Sequence, residues 1–194
     1  MSLDGTQVLV ITTNYGTEQD ELMQPVAALH AAGARVTVAA RADEPVLTLM
    51  SDRRRGDVVI PDGTYAGMSA DPFDAVVVPG GTVNADRLRT DPEARRLLAE
   101  FAASGRTVAA ICHGPWLLVD SGLARGRELT SYPSLRADLT NAGATWQDRS
   151  VVIDDSGGYR LITSRRPADL RPFTAAIVES LSALSAHRQE RRAG

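Results

Sequence analysis

Cysteine occurs once in the 194 residues, at Cys112 in the stretch "RTVAAICHGPWLLVDSG" (106–122), where His113, Gly114 and Pro115 follow it directly. A small-x-nucleophile-x-glycine pattern between an apolar run and a helix is the nucleophile-elbow arrangement. A tight turn there lifts the reactive side chain clear of the sheet, and glycine permits close backbone approach. The helix opening at Gly114-Pro115 is expected to aim N–H groups and the positive end of its dipole at the sulphur, favouring the thiolate. Pro115 suits a first helical turn because its missing N–H would be unpaired there anyway. These features predict a reactive, partly exposed thiol.

Two further groups could serve that thiol. Glu18, in "TTNYGTEQDEL" after the first apolar run, could bring a carboxyl to the sulphur, but only a protonated carboxyl would donate to it rather than repel it. His113 could move a proton to or from a substrate if a carboxylate oriented its ring, and no neighbour in sequence supplies that carboxylate. Gly80-Gly81, in "VVVPGGTVNAD", offers backbone N–H groups to an oxyanion. Each has a plainer reading: Cys112 as a small core residue, Glu18 as a first-turn helix acid, Gly80-Gly81 as a tight turn. His30 and His187 read as surface or packing residues and Arg53-Arg54-Arg55 as a solvated loop. Three scattered histidines and one cysteine give no metal-ligand spacing.

The elements that must position these groups follow from periodicity. Near-continuous apolar runs at 7–13, 34–40, 74–80 and 106–112 predict strands buried on both faces of a parallel sheet. Helical spacing at 18–33 and 91–105, each ending on glycine, predicts the intervening helices, with Pro25 kinking the first. Helices are expected over 114–122, 132–143 and 166–184, with a strand pair near 150–154 and 159–164. Residues 41–72 read as a loop-rich excursion with a short hairpin. The alternation implies an α/β sandwich with right-handed crossovers, a single domain over 1–187 and a polar tail, 188–194, that frays. In such sheets ligands bind beyond the C-terminal ends of the strands, where Glu18, Gly80-Gly81 and Cys112-His113 would converge.

Composition narrows the function classes. With 43% hydrophobic and 23% charged residues the chain can bury a substantial core, and its net charge of -3 gives no basic field for nucleic acid. Neither a signal peptide nor a membrane-spanning run is apparent, and a lone cysteine allows no internal disulfide; a cytoplasmic protein is expected.

"VVVPGG", "AICHGPWLL", "LTSYPSLRADLTNAGATW" and "LITSRRPADLRPF", in that order, resemble the ThiJ/PfpI family of the class I glutamine-amidotransferase-like superfamily, closest to its PfpI branch, over about residues 7–181. The resemblance implies a flavodoxin-like three-layer α/β sandwich and a cysteine-histidine-acid site without metal or organic cofactor. By position it implies Cys112 as nucleophile, His113 beside it, Glu18 as the acid on the thiol, and the N–H groups of Gly81 and His113 as an oxyanion hole. Asp86 matches an acid that a neighbouring subunit presents to the histidine, which implies a homodimer or hexamer. Glu21, Tyr132 and Trp116 fall at pocket positions. Departures are Gly16 and Thr17 before Glu18, Thr82 after the Gly-Gly pair, and Trp116 where glutamine is usual. The activity implied is cofactor-independent processing of reactive carbonyls, as glyoxalase III-like hydration of 2-oxoaldehydes or deglycation of their adducts. PfpI-type peptide hydrolysis is the alternative enzyme reading. A redox-sensing or chaperone role through oxidation of Cys112 is the alternative of another class.

Overall fold

A computed structural model describes residues 2–193, with side chains after Ser185 outside the described set; the terminal Gly194, the side chain of His187 and those of the 188–194 tail fall there. In chain order the elements are β1 (Gln7–Thr12), β2 (Tyr15–Glu18), α1 (Gln19–Ala31), β3 (Arg35–Ala40), β4 (Val46–Met50), β5 (Arg54–Val59), β6 (Gly63–Thr64) and β7 (Ala75–Val78). They continue as α2 (Thr82–Thr90), α3 (Pro92–Ala103), β8 (Thr107–Ile111), α4 (Trp116–Asp120), β9 (Glu128–Leu129), α5 (Arg136–Asn141), β10 (Thr145–Trp146), β11 (Val151–Asp154), β12 (Leu161–Ser164) and α6 (Leu170–Ala193). Short 3-10 turns precede α5 and α6. Among the described residues no helix is long and apolar enough to cross a membrane.

The central sheet has seven strands in the order β11-β12-β8-β7-β1-β3-β6. Its pairs are parallel except for the antiparallel β11–β12 edge. Alternating side chains divide the core. Leu9, Ile11, Val108 and Ala110 join a cluster with Leu97 and Phe101 of α3, whereas Val8, Val10, Ala109 and Ile111 pack with Leu22 of α1 and Phe173 and Ile177 of α6. A sheet covered on both faces explains why its strands read as continuous apolar runs rather than alternating ones. Order reverses between β7 and β1, so the crevice at their C-terminal ends is where a ligand site is expected.

Local chemistry sets several boundaries. Asp91 caps α3, accepting the N–H groups of Glu93 and Ala94 at 2.9 and 3.3 Å, and Pro92 occupies the first turn. Pro25 lies inside α1, which continues past it to Ala31. Residues 41–72 hold more than a loop. Strands β4 and β5 form an antiparallel hairpin, and β4 also pairs in parallel with β2, making a second, three-stranded sheet above the rim. The helix α2 directly after Gly80-Gly81 is an element the periodicity did not predict; its sequence, TVNADRLRT, is mostly polar and buries only Asn84, Ala85 and Leu88.

Candidate active site

The β8 strand ends at Ile111, and Cys112 then turns into the left-handed region at φ 62°. A non-glycine residue held there costs on the order of 1–3 kcal/mol, so the surroundings must over-determine it. They do so from both sides: Cys112 N–H donates to Ser164 O at 3.0 Å, and Cys112 O accepts the Tyr132 N–H at 2.8 Å. Gly114 completes the turn where a Cβ would lie 2.5 Å from Val78 O, so no larger residue fits. Cys112 and His113 are only 5% and 6% exposed, a more recessed site than the sequence suggests.

The electrostatics of the thiol also differ from expectation. The helix α4 has five residues, begins at Trp116 and has Pro115 as its N-cap. The N–H groups of Gly114, Trp116 and Leu117 are taken by Ile111, His113 and Gly114 carbonyls. The donors that do favour the thiolate are the N–H groups of Gly81 and His113, the two assigned to the oxyanion hole. Burial and then the neighbouring Glu21 outweigh them and push the Cys112 thiol up, opposite to the direction expected from a helix N-terminus at the sulphur.

The acid beside that sulphur is Glu21, in the first turn of α1, rather than Glu18. Glu21 is fully buried, and its Oε2 accepts the Gly80 N–H at 2.9 Å. Its Oε1 is buried without a partner of ordinary hydrogen-bond geometry, and the thiol of Cys112 lies within the carboxyl's hydrogen-bonding reach. Burial raises the Glu21 pKa to about 8, only partly opposed by its hydrogen bonds with Cys112 and Gly80, so at neutral pH it carries a proton. The protonated carboxyl expected beside the thiol is therefore present, three residues further along. Glu18, at the end of β2, instead accepts the backbone N–H groups of Ser51 and Asp52 at 3.0 and 3.3 Å. One helical turn separates the two carboxyls, and only position 21 shares the inward face with Leu22, Pro25 and Leu29. An acid within that apolar stripe was the signal available in the sequence.

His113 turns Nδ1 to the Cys112 Sγ at 3.2 Å. Its Nε2 meets Thr82 Oγ1 at 3.5 Å and Ser134 Oγ at 3.3 Å. Burial lowers the His113 pKa, and the charge of Asp52 opposes that, leaving a neutral imidazole poised as a base. Tyr132 stacks on the imidazole with ring centres 4.8 Å apart. Trp116 stands 5.3 Å from it, tied by its indole N–H to Asp138 at 2.7 Å and covered by Arg89. The indole thus packs beside the histidine. Asp86 is exposed on α2 and does not take the orienting place at His113 within one chain. Asp52, Thr82 and Ser134 were missed as neighbours of the histidine, although Thr82 had stood out as a departure from the family pattern.

The Gly80-Gly81 turn is constrained by contact as well as by conformation. A Cβ at Gly80 would sit 2.6 Å from Glu21 Oε2 and 2.7 Å from Cys112 Cβ; at Gly81, where φ is 81°, it would sit 2.1 Å from Gly16 O. This pair therefore lets β7, α1 and the elbow meet. An open cleft of about 470 Å³, lined by Gly105, Thr107, Tyr159 and Leu184, lies at the N-terminal end of β8, away from the thiol.

Comparison with known proteins agrees with this geometry. A model of the DJ-1/PfpI family matches residues 6–180. The chain is 35% identical over 175 residues to the Pyrococcus horikoshii protein named Deglycase PH1704, covering 90% of this chain and 99% of that one. It is 34% identical over 180 residues to Bacillus subtilis General stress protein 18, covering 93% and 98%. The crystal structure of Drosophila melanogaster DJ-1beta superimposes with a TM-score of 0.80 at 34% identity, covering 93% of this chain and 91% of that one.

Proposed function

The chain belongs to the DJ-1/PfpI family, and on that premise we propose that it is a cysteine-dependent enzyme that processes small reactive carbonyls or their adducts. The observation that carries the reading is a single buried constellation: the Cys112 thiol between the His113 Nδ1 and the protonated carboxyl of Glu21. The names of the deglycase and stress-protein relatives support the same class. The near-complete burial of Cys112 and His113 favours a small carbonyl over a peptide chain, which needs an extended groove. Self-association, with Asp86 presented to a second copy, belongs to the same proposal.

For a 2-oxoaldehyde the sequence of steps is balanced without an added reactant other than water. Sγ bonds to the aldehyde carbon while His113 Nδ1 takes the thiol proton, and the alkoxide forms against the Gly81 and His113 N–H groups. His113 returns that proton to the alkoxide, and its freed Nδ1 takes the carbon-bound proton while Glu21 gives its own to the adjacent carbonyl oxygen, forming an enediol. The imidazolium then protonates the adjacent carbon and the first hydroxyl returns a proton to Glu21, leaving the thioester of a 2-hydroxy acid. Water cleaves the thioester, releasing the acid and restoring the thiol. Lactate formation from methylglyoxal, without added thiol or metal, tests this: wild-type protein is expected to produce lactate and the Cys112→Ser variant none. Absence of lactate from wild-type protein whose Cys112 still reacts with iodoacetamide would overturn the proposal.

A further inference from the structure

The imidazole of a cysteine-histidine pair is useful only if the correct nitrogen is free, and the nitrogen that faces sulphur is set by whatever the other one touches. At His113 that other contact leads into the 51–52 turn. Ser51 and Asp52 both adopt φ of 55°, an unfavourable conformation for two consecutive residues with side chains. Glu18 holds them there, because its two carboxylate oxygens accept the two backbone N–H groups in succession. The turn presents the Asp52 carboxylate to Thr82, whose N–H donates to Oδ1 at 2.9 Å and whose hydroxyl donates to Oδ2 at 2.6 Å. With its only proton committed to a carboxylate, Thr82 Oγ1 can meet His113 Nε2 only as an acceptor.

We propose that Asp52, acting through the Thr82 hydroxyl, fixes His113 as the Nε2–H tautomer within a single chain, leaving the Nδ1 lone pair for the Cys112 thiol, with Glu18 positioning the turn that makes this possible. Ser134, the other hydroxyl at Nε2, has an oxygen and a proton both available and follows the tautomer rather than setting it. The catalytic importance of the relay rests on the carbonyl-enzyme reading above; the hydrogen-bond polarity does not. It also gives the unusual Thr82 a role that does not require an acid from a second copy.

A plainer role for Asp52 is to bind the unpaired N–H at the start of α2, whose N-cap, Gly81, has no side chain. The Asp52→Asn variant separates the two. Its Oδ1 still accepts the Thr82 N–H, but its amide must donate to Thr82 Oγ1, which turns the hydroxyl proton toward Nε2 and reverses the chain. Long-range nitrogen-proton NMR of the full-length protein, assigned with His113→Gln, reads the tautomer directly. The expected result is Nε2–H in the wild type and in Thr82→Ser, a shift to Nδ1–H in Asp52→Asn, and loss of a single tautomer in Thr82→Val. In turnover, Asp52→Asn is expected to lower kcat by about a hundredfold with KM little changed. Nδ1–H in the wild type, or an unchanged tautomer in Asp52→Asn, overturns the proposal whatever the activity. The expected tautomers without carbonyl turnover would sustain the relay and remove the functional reading instead.

Discussion

Asp154, at the end of β11, and Glu21, in the first turn of α1, are both withdrawn from solvent, at 8% and 0% exposure, and sit at opposite rims of the sheet. For both, burial alone would raise the pKa. At Asp154 that penalty is outweighed by hydrogen bonds from Ser156 and Glu128 and by the Arg127 guanidinium at 3.2 Å, and the pKa falls to about 2. At Glu21 no cation is among the groups that set the pKa, and it rises to about 8. The same burial yields a fixed anion at one rim and a mobile proton at the other; what differs is whether the fold aims several hydrogen-bond donors, joined by a cation, at the carboxylate.

Removing the cation should weaken the contrast and produce the largest expected effect. Arg127 is 3% exposed, its Nη2 donates to the carbonyls of Asp154 and Tyr159 at 2.7 and 3.1 Å, and its guanidinium lies 4.2 Å over the Tyr159 ring. Arg127→Met leaves Asp154 buried as a lone anion and two carbonyls short of a donor. Urea unfolding at pH 7 is expected to show a loss of about 3–5 kcal/mol. A loss below about 1 kcal/mol would mean that the neighbouring N–H groups alone hold Asp154 ionised, and the comparison would have to be rewritten without the arginine.

Glu21→Gln sharpens the other half, with an effect that depends on pH. In the wild type the unfolded chain ionises at position 21 from about pH 4.5, whereas the folded chain holds the proton to about 8, so this group makes folding less favourable as pH rises through that window. The penalty amounts to about 3 kcal/mol at pH 7. Glutamine keeps the shape without the titration, so the variant should match the wild type near pH 4 and gain on it steadily up to pH 8. Its turnover should fall even as its stability rises, the trade expected at a functional site. A gap that does not change with pH would show that Glu21 is already ionised in the folded protein.

Legibility in the sequence followed the same physical divide. Strands buried on both faces announced themselves as apolar runs, and the elbow was visible because glycine, proline and a lone cysteine meet at a strand end. Family resemblance and the position after the first strand both pointed to Glu18 as the acid on the thiol and left Glu21 a pocket position, whereas the structure gives the place beside the sulphur to Glu21. That choice depends on a helix face, and it becomes clear only when Glu21 is aligned with Leu22, Pro25 and Leu29. The Asp52–Thr82 connection was out of reach, since it joins a turn and a helix start thirty residues apart through a second sheet that a charged, loop-like segment conceals. The short α2 escaped because its sequence is mostly polar, and its position is fixed by Gly81 and by Asn84, which binds the Pro79 and Gly80 carbonyls.

The smallest test acts on the hydrogen bonds that help Arg127 hold Asp154 in its charged form. The Ser156 backbone N–H donates to Asp154 Oδ1 at 2.6 Å, and the Ser156 side chain adds a second hydrogen bond that lowers the Asp154 pKa. Ser156→Ala removes only the side-chain contribution; the two backbone donors and the guanidinium remain. The Asp154 pKa should therefore climb part of the way from about 2 toward the unperturbed 3.8. In the wild type the stability linked to Asp154 is complete above the unfolded value and is lost as pH falls through the folded one. In the variant that loss should begin at a higher pH, with a cost near neutrality of about 0.5–1 kcal/mol. Urea unfolding from pH 2 to 5 measures both. An unchanged acid limb would assign the depressed pKa to the two backbone donors and Arg127 alone, and would leave those three as the whole difference between Asp154 and Glu21.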